Sequence, residues 1–436
     1  MTLRLLLRLS RATPRELAAS LWAFVYFFAL LAGYYVLRPI RDEMAIQGGQ
    51  QALSGLFTMV FVTMLVLAPV FGALTARFPR KRLLPWLYAF FVLDLVVFWS
   101  AFSTGNQQSP VVAKAFFVWV SVFNLFAVSL FWSFMADIFD TAQARRLYGF
   151  IAAGGTAGAL AGPSLTAACV VLVGVKGMVL VSAAFLVLAI VAILRLRAWA
   201  EANGAAPPAA HEPALGGSAL AGIVDVLRSP YLIGICLFLF CYSLLSTLLY
   251  FTQTVLVPAA IQSSAERTQL LALVDLAVNL LTLVIQLFAF GAMIERLGTT
   301  FTLALMPVIA TIGFAVLASD PVLPTLVVFG VLRRAGEYAV SKPARETLFN
   351  VLPPAQKYKA KNVIDTVVHR GGDMTSSWIF NGLRAAGLSL TTTAWIAVPV
   401  AAAWCAGAIA LGRSAEAKAR QPAASGTASL AASASR

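Results

Sequence analysis

In a chain this apolar, the side chains that could do chemistry stand out, and arginines lead them. Tyr34, Arg38 and Arg41 fall at i, i+4 and i+7, one stripe of a helix, with Asp42 and Glu43 following. Arg333 and Arg334 sit side by side within an apolar run, and Arg334, Glu337, Tyr338, Ser341 and Arg345 share a second stripe. Lone arginines near helix ends usually snorkel to water. Two in mid-segment with a glutamate one turn later do not fit that habit. A guanidinium fork matches the oxygens of a phosphate, and a neighbouring tyrosine can stack on a flat ring. Two readings follow: an anion-binding cavity, or a salt-bridge cluster that holds the fold.

The remaining polar groups are sparser. Asp275, Asn279, Thr282 and Gln286 are spaced 4, 3 and 4 on one helical face, which suits either a cavity wall or interhelical hydrogen bonds. Asp94 stands without a helical partner of its own, a proton site or half of a structural pair. Cys169, Cys236, Cys241 and Cys405 lie in apolar runs without metal-ligand spacing and read as small core residues. Phosphate-cradling loops of the Walker type and redox or acyl-transfer constellations are absent from the sequence. The expectation is a protein with no cofactor, no metal and no enzymatic activity.

The elements that position these groups follow from composition. The 436 residues are 60% hydrophobic and 11% charged, with a mean hydropathy of +0.85. Soluble domains carry about 25% charged residues, so soluble enzymes, disordered chains and disulfide scaffolds are excluded. The net charge of +14 reflects loops at a membrane surface, not a nucleic-acid partner. Twelve segments reach the roughly 20 apolar residues that a spanning helix needs: 17–40, 52–76, 83–103, 111–136, 147–173, 177–194, 230–258, 269–294, 300–319, 322–342, 361–386 and 390–411. The first is too long for the core of a signal peptide. Continuous apolar runs exclude a β-barrel, whose strands alternate.

Lysine and arginine set the orientation. With the N-terminus inside, 23 of the 32 basic residues fall in cytoplasmic segments, six in external ones, and Arg333, Arg334 and Arg370 within spans. Both termini are therefore expected in the cytoplasm. Residues 1–197 should form one six-helix bundle and 229–412 another. Between them, 198–228 is an Ala/Pro/Gly-rich linker that contains His211, and 413–436 is an Ala/Ser-rich disordered tail.

The two halves echo each other. Phe71-Gly72-Ala73 and Phe290-Gly291-Ala292 stand 219 residues apart, as do Leu37-Arg38-Pro39 and Leu256-Val257-Pro258, while Gly154-Gly155 and Gly371-Gly372 stand 217 apart. Parallel repeats of this kind resemble the major facilitator fold, whose substrate site lies between the halves. Gly72-Ala73-Leu74-Thr75-Ala76-Arg77-Phe78-Pro79-Arg80-Lys81-Arg82 resembles the facilitator signature G-x-L-x-D-R-x-G-R-[RK], with Ala76 and Pro79 departing. The second-half copy keeps Glu295-Arg296 and Gly298. Gly72, Arg77 and Arg80 are thus expected to take part in gating, with Asp94, Asp275 and Asn279. Gly158-Ala159-Leu160-Ala161-Gly162-Pro163 partly resembles the facilitator antiporter motif but reads mainly as a face for close helix packing.

A narrower resemblance is to the ATP/ADP translocases, the nucleotide transporters of intracellular bacteria and plastids. Leu37-Arg38-Pro39-Ile40-Arg41-Asp42 resembles that family's L-R-D-T-K-D, and Phe131-Trp132 with Ala144-Arg145-Arg146-Leu147-Tyr148 resembles its F-W and A-K-R-F-Y. Lys342-Pro343-Ala344-Arg345-Glu346-Thr347-Leu348-Phe349 is similar to D-P-T-K-E-M-A-Y, and Lys359-Ala360-Lys361-Asn362-Val363-Ile364-Asp365 to K-x-K-G-K-A-A-I-D. Lys342, Arg345 and Asn362 depart from the pattern, and an Arg is not a Lys in how it binds. The resemblance implies a facilitator-type fold and a nucleotide or other phosphorylated anion as substrate. It adds Glu346 and Asp365 to Tyr34, Arg38, Arg41, Arg333, Arg334, Glu337, Tyr338 and Arg345 as expected substrate-site residues. The other readings are a proton-coupled porter for a small organic solute, with Asp94, Asp275 or Glu337 titrating, and a non-transporting scaffold. The expected setting is the inner membrane of a bacterium, as a monomer in contact with lipid.

Overall fold

A computed structural model describes residues 10, 12–77, 80–105, 109–203, 224 and 226–420. These are almost entirely helical, and no strand occurs among the described residues. The first four spans are Leu17–Gln47, Gln50–Arg77, Arg80–Ser103 and Pro110–Ile138. Thr141–Ala202 holds spans 5 and 6, divided at Gly174, whose φ of 71° is costly for any residue with a Cβ. Pro230–Ala260 and Ser264–Phe288 are spans 7 and 8. Phe290–Ser319 turns at Gly298, φ 76°, into span 9. Spans 10 and 11 cover 323–348 and 354–385, and span 12 is Leu390–Arg420.

Among the described residues nine helices are long and apolar enough to cross a membrane, the double helix 141–202 counting once. Spans 10 and 11 fall short of that measure because a π turn divides each, leaving longest α-helical stretches of 14 and 17 residues. The sequence expectation of twelve membrane helices holds, with longer ends than the apolar runs alone suggest. Span 10 continues past 342 to Leu348, and span 6 runs to Ala202, into the expected linker. Span 12 continues to Arg420, so residues 413–420 are helix where a disordered tail was expected. Residues 204–223, with His211, and 421–436 lie outside the described residues.

The helices sort into two compact units, Met1–Ala214 with Tyr250–Leu280, and Leu215–Leu249 with Leu281–Arg436. In the first unit, span 5 lies directly against span 1. A Cβ added at Gly154, Gly158 or Gly162 would collide with the backbone carbonyls of Phe24, Phe28 and Ala32. Small residues let two helix backbones approach this closely in a membrane, where van der Waals contact drives association. Around that seam the core is aromatic. Phe27 stacks on Phe131 at 4.1 Å, and the hydroxyls of Tyr26 and Tyr88 bond at 2.8 Å, which satisfies two otherwise costly buried groups.

One polar knot joins spans 1 and 5 at their basic ends. Asp140 caps span 5 by accepting from the Gln143 backbone N–H at 2.8 Å, and the Gln143 side chain accepts from the Asp140 N–H in return. Gln143 also donates to Glu16 at 3.0 Å, beside Arg146 at 2.9 Å and the Thr13 backbone N–H at 2.9 Å. Burial alone would raise the Glu16 pKa, but these donors together lower it from 4.5 to about 2. A depressed carboxylate contributes stability at pH above its unfolded value and loses it as pH falls toward the folded one. The melting temperature of the purified protein should therefore fall between pH 4.5 and about 2, and Glu16→Gln should flatten that part of the profile. Identical acid profiles for the two proteins would refute the assignment.

In the second unit, spans 9 and 10 meet where Gly313 faces the Phe329 ring and Gly336 faces Met306, both too close for a Cβ. The Glu416 carboxylate of span 12 accepts from the Thr300 backbone N–H at 3.0 Å, just past the turn at Gly298.

Candidate functional site

The arginines of span 10 owe their placement to an unusual winding. Among the polar side chains Arg333, Glu337, Ser341 and Arg345 are buried, at 9%, 6%, 1% and 6% exposure, whereas Arg334 and Tyr338 are half-buried. The buried stripe is thus displaced by one residue from the expected one through Arg334 and Tyr338. An α-helix drifts by about 40° for every four residues, so three such steps would spread the stripe over a third of the circumference. Residues Glu337–Ser341 form a π turn, wound wider with i→i+5 bonds, and this takes the drift back. Span 11 repeats the device. Lys361, Asp365, His369 and Asp373 are also spaced by four, across a second π turn at Ile364–Val368. Single π turns inside α-helices occur frequently at functional sites.

The two uneven helices touch through their charges. Lys361 pairs with Glu346 at 2.6 Å and Arg345 with Asp365 at 3.6 Å. Span 7 supplies the aromatic wall: Tyr242 lies 5.8 Å beneath the Arg333 guanidinium and 6.0 Å from the His369 ring. Ser243 contacts His369 Nδ1 at 3.3 Å. What several atoms of the cluster lack is a hydrogen-bond partner. Nε and Nη1 of Arg333, Nε of Arg345, Oε2 of Glu337 and the Ser341 hydroxyl are buried without hydrogen-bond partners among the described residues. Buried polar groups are nearly always bonded, and an unmet buried charge is expensive.

The first-unit arginines are arranged differently, each beside a carboxylate. Arg41 pairs with Asp42 at 2.7 Å, and Asp42 also accepts from the Tyr250 hydroxyl at 3.2 Å. Arg38 approaches Asp275 at 3.7 Å. Tyr34 is buried next to Tyr35, whose ring lies 5.7 Å from the Arg38 guanidinium. Glu43, fully buried, receives both Nε and Nη2 of Arg267, the shortest contact being 2.7 Å. Arg267 also donates to the carbonyls of Ile261 and Gln262. Span 1 is thus clasped by the 250–280 segment at three successive charged sites.

Sequence reasoning treated Arg38 as a substrate ligand and Asp275 as a gating group, and the structure brings the two together. It also gives the span 8 stripe interhelical bonds. Asn279 donates to the Ala159 carbonyl at 2.7 Å and Gln286 to the Tyr338 carbonyl at 3.3 Å. Asp94 accepts from the Trp119 indole at 2.8 Å, a partner on another helix that no within-helix spacing could reveal. Arg77 is exposed at the end of span 2, while the surroundings of Gly72 and Arg80, with residues 78–79, lie outside the described residues. Tyr242, Ser243, His369 and Arg267 did not figure in the sequence reading as site residues. The spacing of four through Lys361, Asp365, His369 and Asp373 was the available signal for span 11.

Among the described residues no His, Cys, Asp and Glu cluster could hold a metal ion. The fold can be set beside known proteins. The nucleoside transporter NupG, in a variant form, is 14% identical, with 93% of this chain and 99% of that chain covered and a TM-score of 0.62. A bacterial homologue of the iron transporter ferroportin, inward-facing, is 12% identical over 92% and 100% of the two chains, at 0.63. A peptide transporter of the POT family in complex with alafosfalin is 16% identical over 90% and 95%, at 0.61. At such identities the likeness is one of fold. No curated protein matches the chain by sequence. The family model described as the Major Facilitator Superfamily matches residues 17–257, more than half of the chain. This chain belongs to the Major Facilitator Superfamily.

Proposed function

We propose that the protein is a secondary transporter that exchanges phosphorylated organic anions, nucleotides of the ATP/ADP type first among them. One observation carries this reading: Arg333 is a buried guanidinium with two nitrogens lacking acceptors, and it lies over the Tyr242 ring. An anion with several oxygens would meet those donors, and a base or sugar ring would meet the aromatic face. The ATP/ADP translocase resemblance at Lys342–Phe349 and Lys359–Asp365 falls on the same two helices, which supports the same ligand class. In this reading Arg333 and Arg345 receive oxygens, Arg334 and Tyr338 flank them, and Glu346 and Asp365 hold the basic groups in place. Arg38, Arg41, Tyr34 and Asp275 belong to the clasp on span 1, where Asp275 controls Arg38, and Asn279 ties span 8 to span 5. Gly72, Arg77 and Arg80 act at the opposite, basic loop, and Asp94 fixes span 3 through Trp119. Both termini face the cytoplasm of a bacterial cell, and the monomer is the working unit.

The unpaired Glu337 oxygen favours a second reading, a proton-coupled porter in which that carboxyl titrates. Uptake of labelled ATP, ADP and phosphate into vesicles, with and without a pH gradient, separates the two. Exchange predicts ATP uptake that is accelerated by internal ADP and indifferent to the gradient. Uptake of no phosphorylated anion under either condition overturns the proposal.

A further inference from the structure

The second unit contains a groove that the charged cluster does not use. It follows the seam between spans 7 and 12 and measures about 730 Å³, within the ~300–1,000 Å³ usual for small-molecule sites. Its walls are helix stripes: Tyr231, Gly234 and Leu237 on span 7, and Ala403, Gly407 and Ala410 on span 12. Small residues keep the seam open, since a Cβ added at Gly407 would meet nothing within 4 Å. Leu237 is 59% exposed, so the groove opens sideways, toward the bilayer of a spanning helix. Its lining runs from Ser229 to Cys241 and from Lys418 back to Ala403, about 18 and 22 Å at 1.5 Å per residue. That is the depth of one leaflet with its headgroups, half of roughly 40–45 Å.

The two ends differ in kind. Trp404, its ring 5.2 Å from Phe238, closes the apolar end. The other end holds Ser229, Ser414 and Lys418, with the exposed Arg228 next in sequence. The Tyr231 hydroxyl donates to the Leu348 carbonyl at 2.8 Å, which fixes the ring that carries Lys418 at 5.4 Å. No carboxylate pairs with Lys418 among the described residues. This mouth lies where the apolar helix ends, on the face of the chain that carries most of its lysine and arginine.

We propose that the groove binds one anionic glycerophospholipid. Its phosphodiester sits at Ser229, Ser414 and Lys418, and one acyl chain lies along the small-residue wall toward Trp404. Basic pockets between spanning helices on the positive face suit anionic headgroups. A zwitterionic lipid would bring a second cation to a mouth that is already basic, and a soluble anion would leave the apolar length uncovered.

Native mass spectrometry of the full-length protein tests this, with phosphatidylglycerol and phosphatidylcholine as probes. One phosphatidylglycerol should stay bound under activation that strips phosphatidylcholine. At about 1 kcal/mol per basic group near the surface, Lys418→Glu should weaken it by about tenfold or more. Gly407→Phe should displace the lipid by filling the groove. Both sites are exposed, so melting temperature should be unchanged, and Lys418→Glu still decides the matter if Gly407→Phe fails to fold. Equal retention of the two lipids, or wild-type retention by Lys418→Glu, overturns the proposal. So does a wild-type dimer that Gly407→Phe dissociates, because a second copy would then cover the groove.

Discussion

Arg333→Ala should lower the affinity for a phosphorylated anion by tenfold or more while leaving the protein at least as stable as before. The two halves of that result come from one feature, a buried guanidinium with unmet donors. Charge-assisted bonds contribute about 1.5–3 kcal/mol each, so losing one costs roughly 10- to 150-fold in binding. Stability should respond the other way. A salt-bridged arginine that is truncated leaves a stranded partner, whereas removing an unsatisfied buried cation relieves a penalty. Arg333→Lys should recover only part of the affinity, because the charge returns and the fork does not. Binding by isothermal titration and melting by differential scanning fluorimetry read the two quantities separately. A well-folded Arg333→Ala protein that binds ATP, ADP and phosphate like the wild type would remove Arg333 from the site. A large fall in melting temperature with intact binding would make it a structural cation.

Glu43→Ala should be among the most destabilising single changes in the chain. Glu43 is fully buried, and its two oxygens take three contacts from Arg267 and one from Gln47 at 3.1 Å. Removing one partner of a buried ion pair typically costs about 3–5 kcal/mol, mostly because the other charge is left without compensation. Arg267 keeps its bonds to the Ile261 and Gln262 carbonyls, which places the expectation nearer 3 than 5 kcal/mol. The double variant Glu43→Ala with Arg267→Ala should regain much of the loss, since it strands no charge. A double-mutant cycle on melting temperature checks this. If the single variant melts with the wild type, Arg267 is solvated and the pair is decorative.

Those two arginines mark where sequence reading succeeds and where it stops. Membrane helices are legible because twenty apolar residues in a row have few other uses, and the π turns change little in that count. The boundaries were less legible, because spans 10 and 12 continue as helix beyond their apolar cores, to Leu348 and Arg420. Arg333 and Arg334 were visible as a pair, but a stripe counted at 3.6 residues per turn selects Arg334. Only the wider turn at Glu337–Ser341 shows that Arg333 is the buried one. The Glu43–Arg267 pair bridges 224 residues, and the bond between Asp94 and Trp119 joins two helices. Neither follows from spacing, since a partner on another helix has no period.

Each π turn has a consequence for how this protein tolerates change in length. Such a turn amounts to an α-helix with one residue in excess, so its geometry depends on a count and not on any particular side chain. Were span 10 one residue shorter between Glu337 and Ser341, the helix could close into uninterrupted α-winding. Arg333 and Arg345 would then stand 11 residues apart, about 20° from three full turns at about 100° per residue, and would still share a face. The same holds for Lys361 and Asp373 across Ile364–Val368. In these two helices a single-residue deletion within the π turn would be absorbed by the winding, leaving the row of charges on one face.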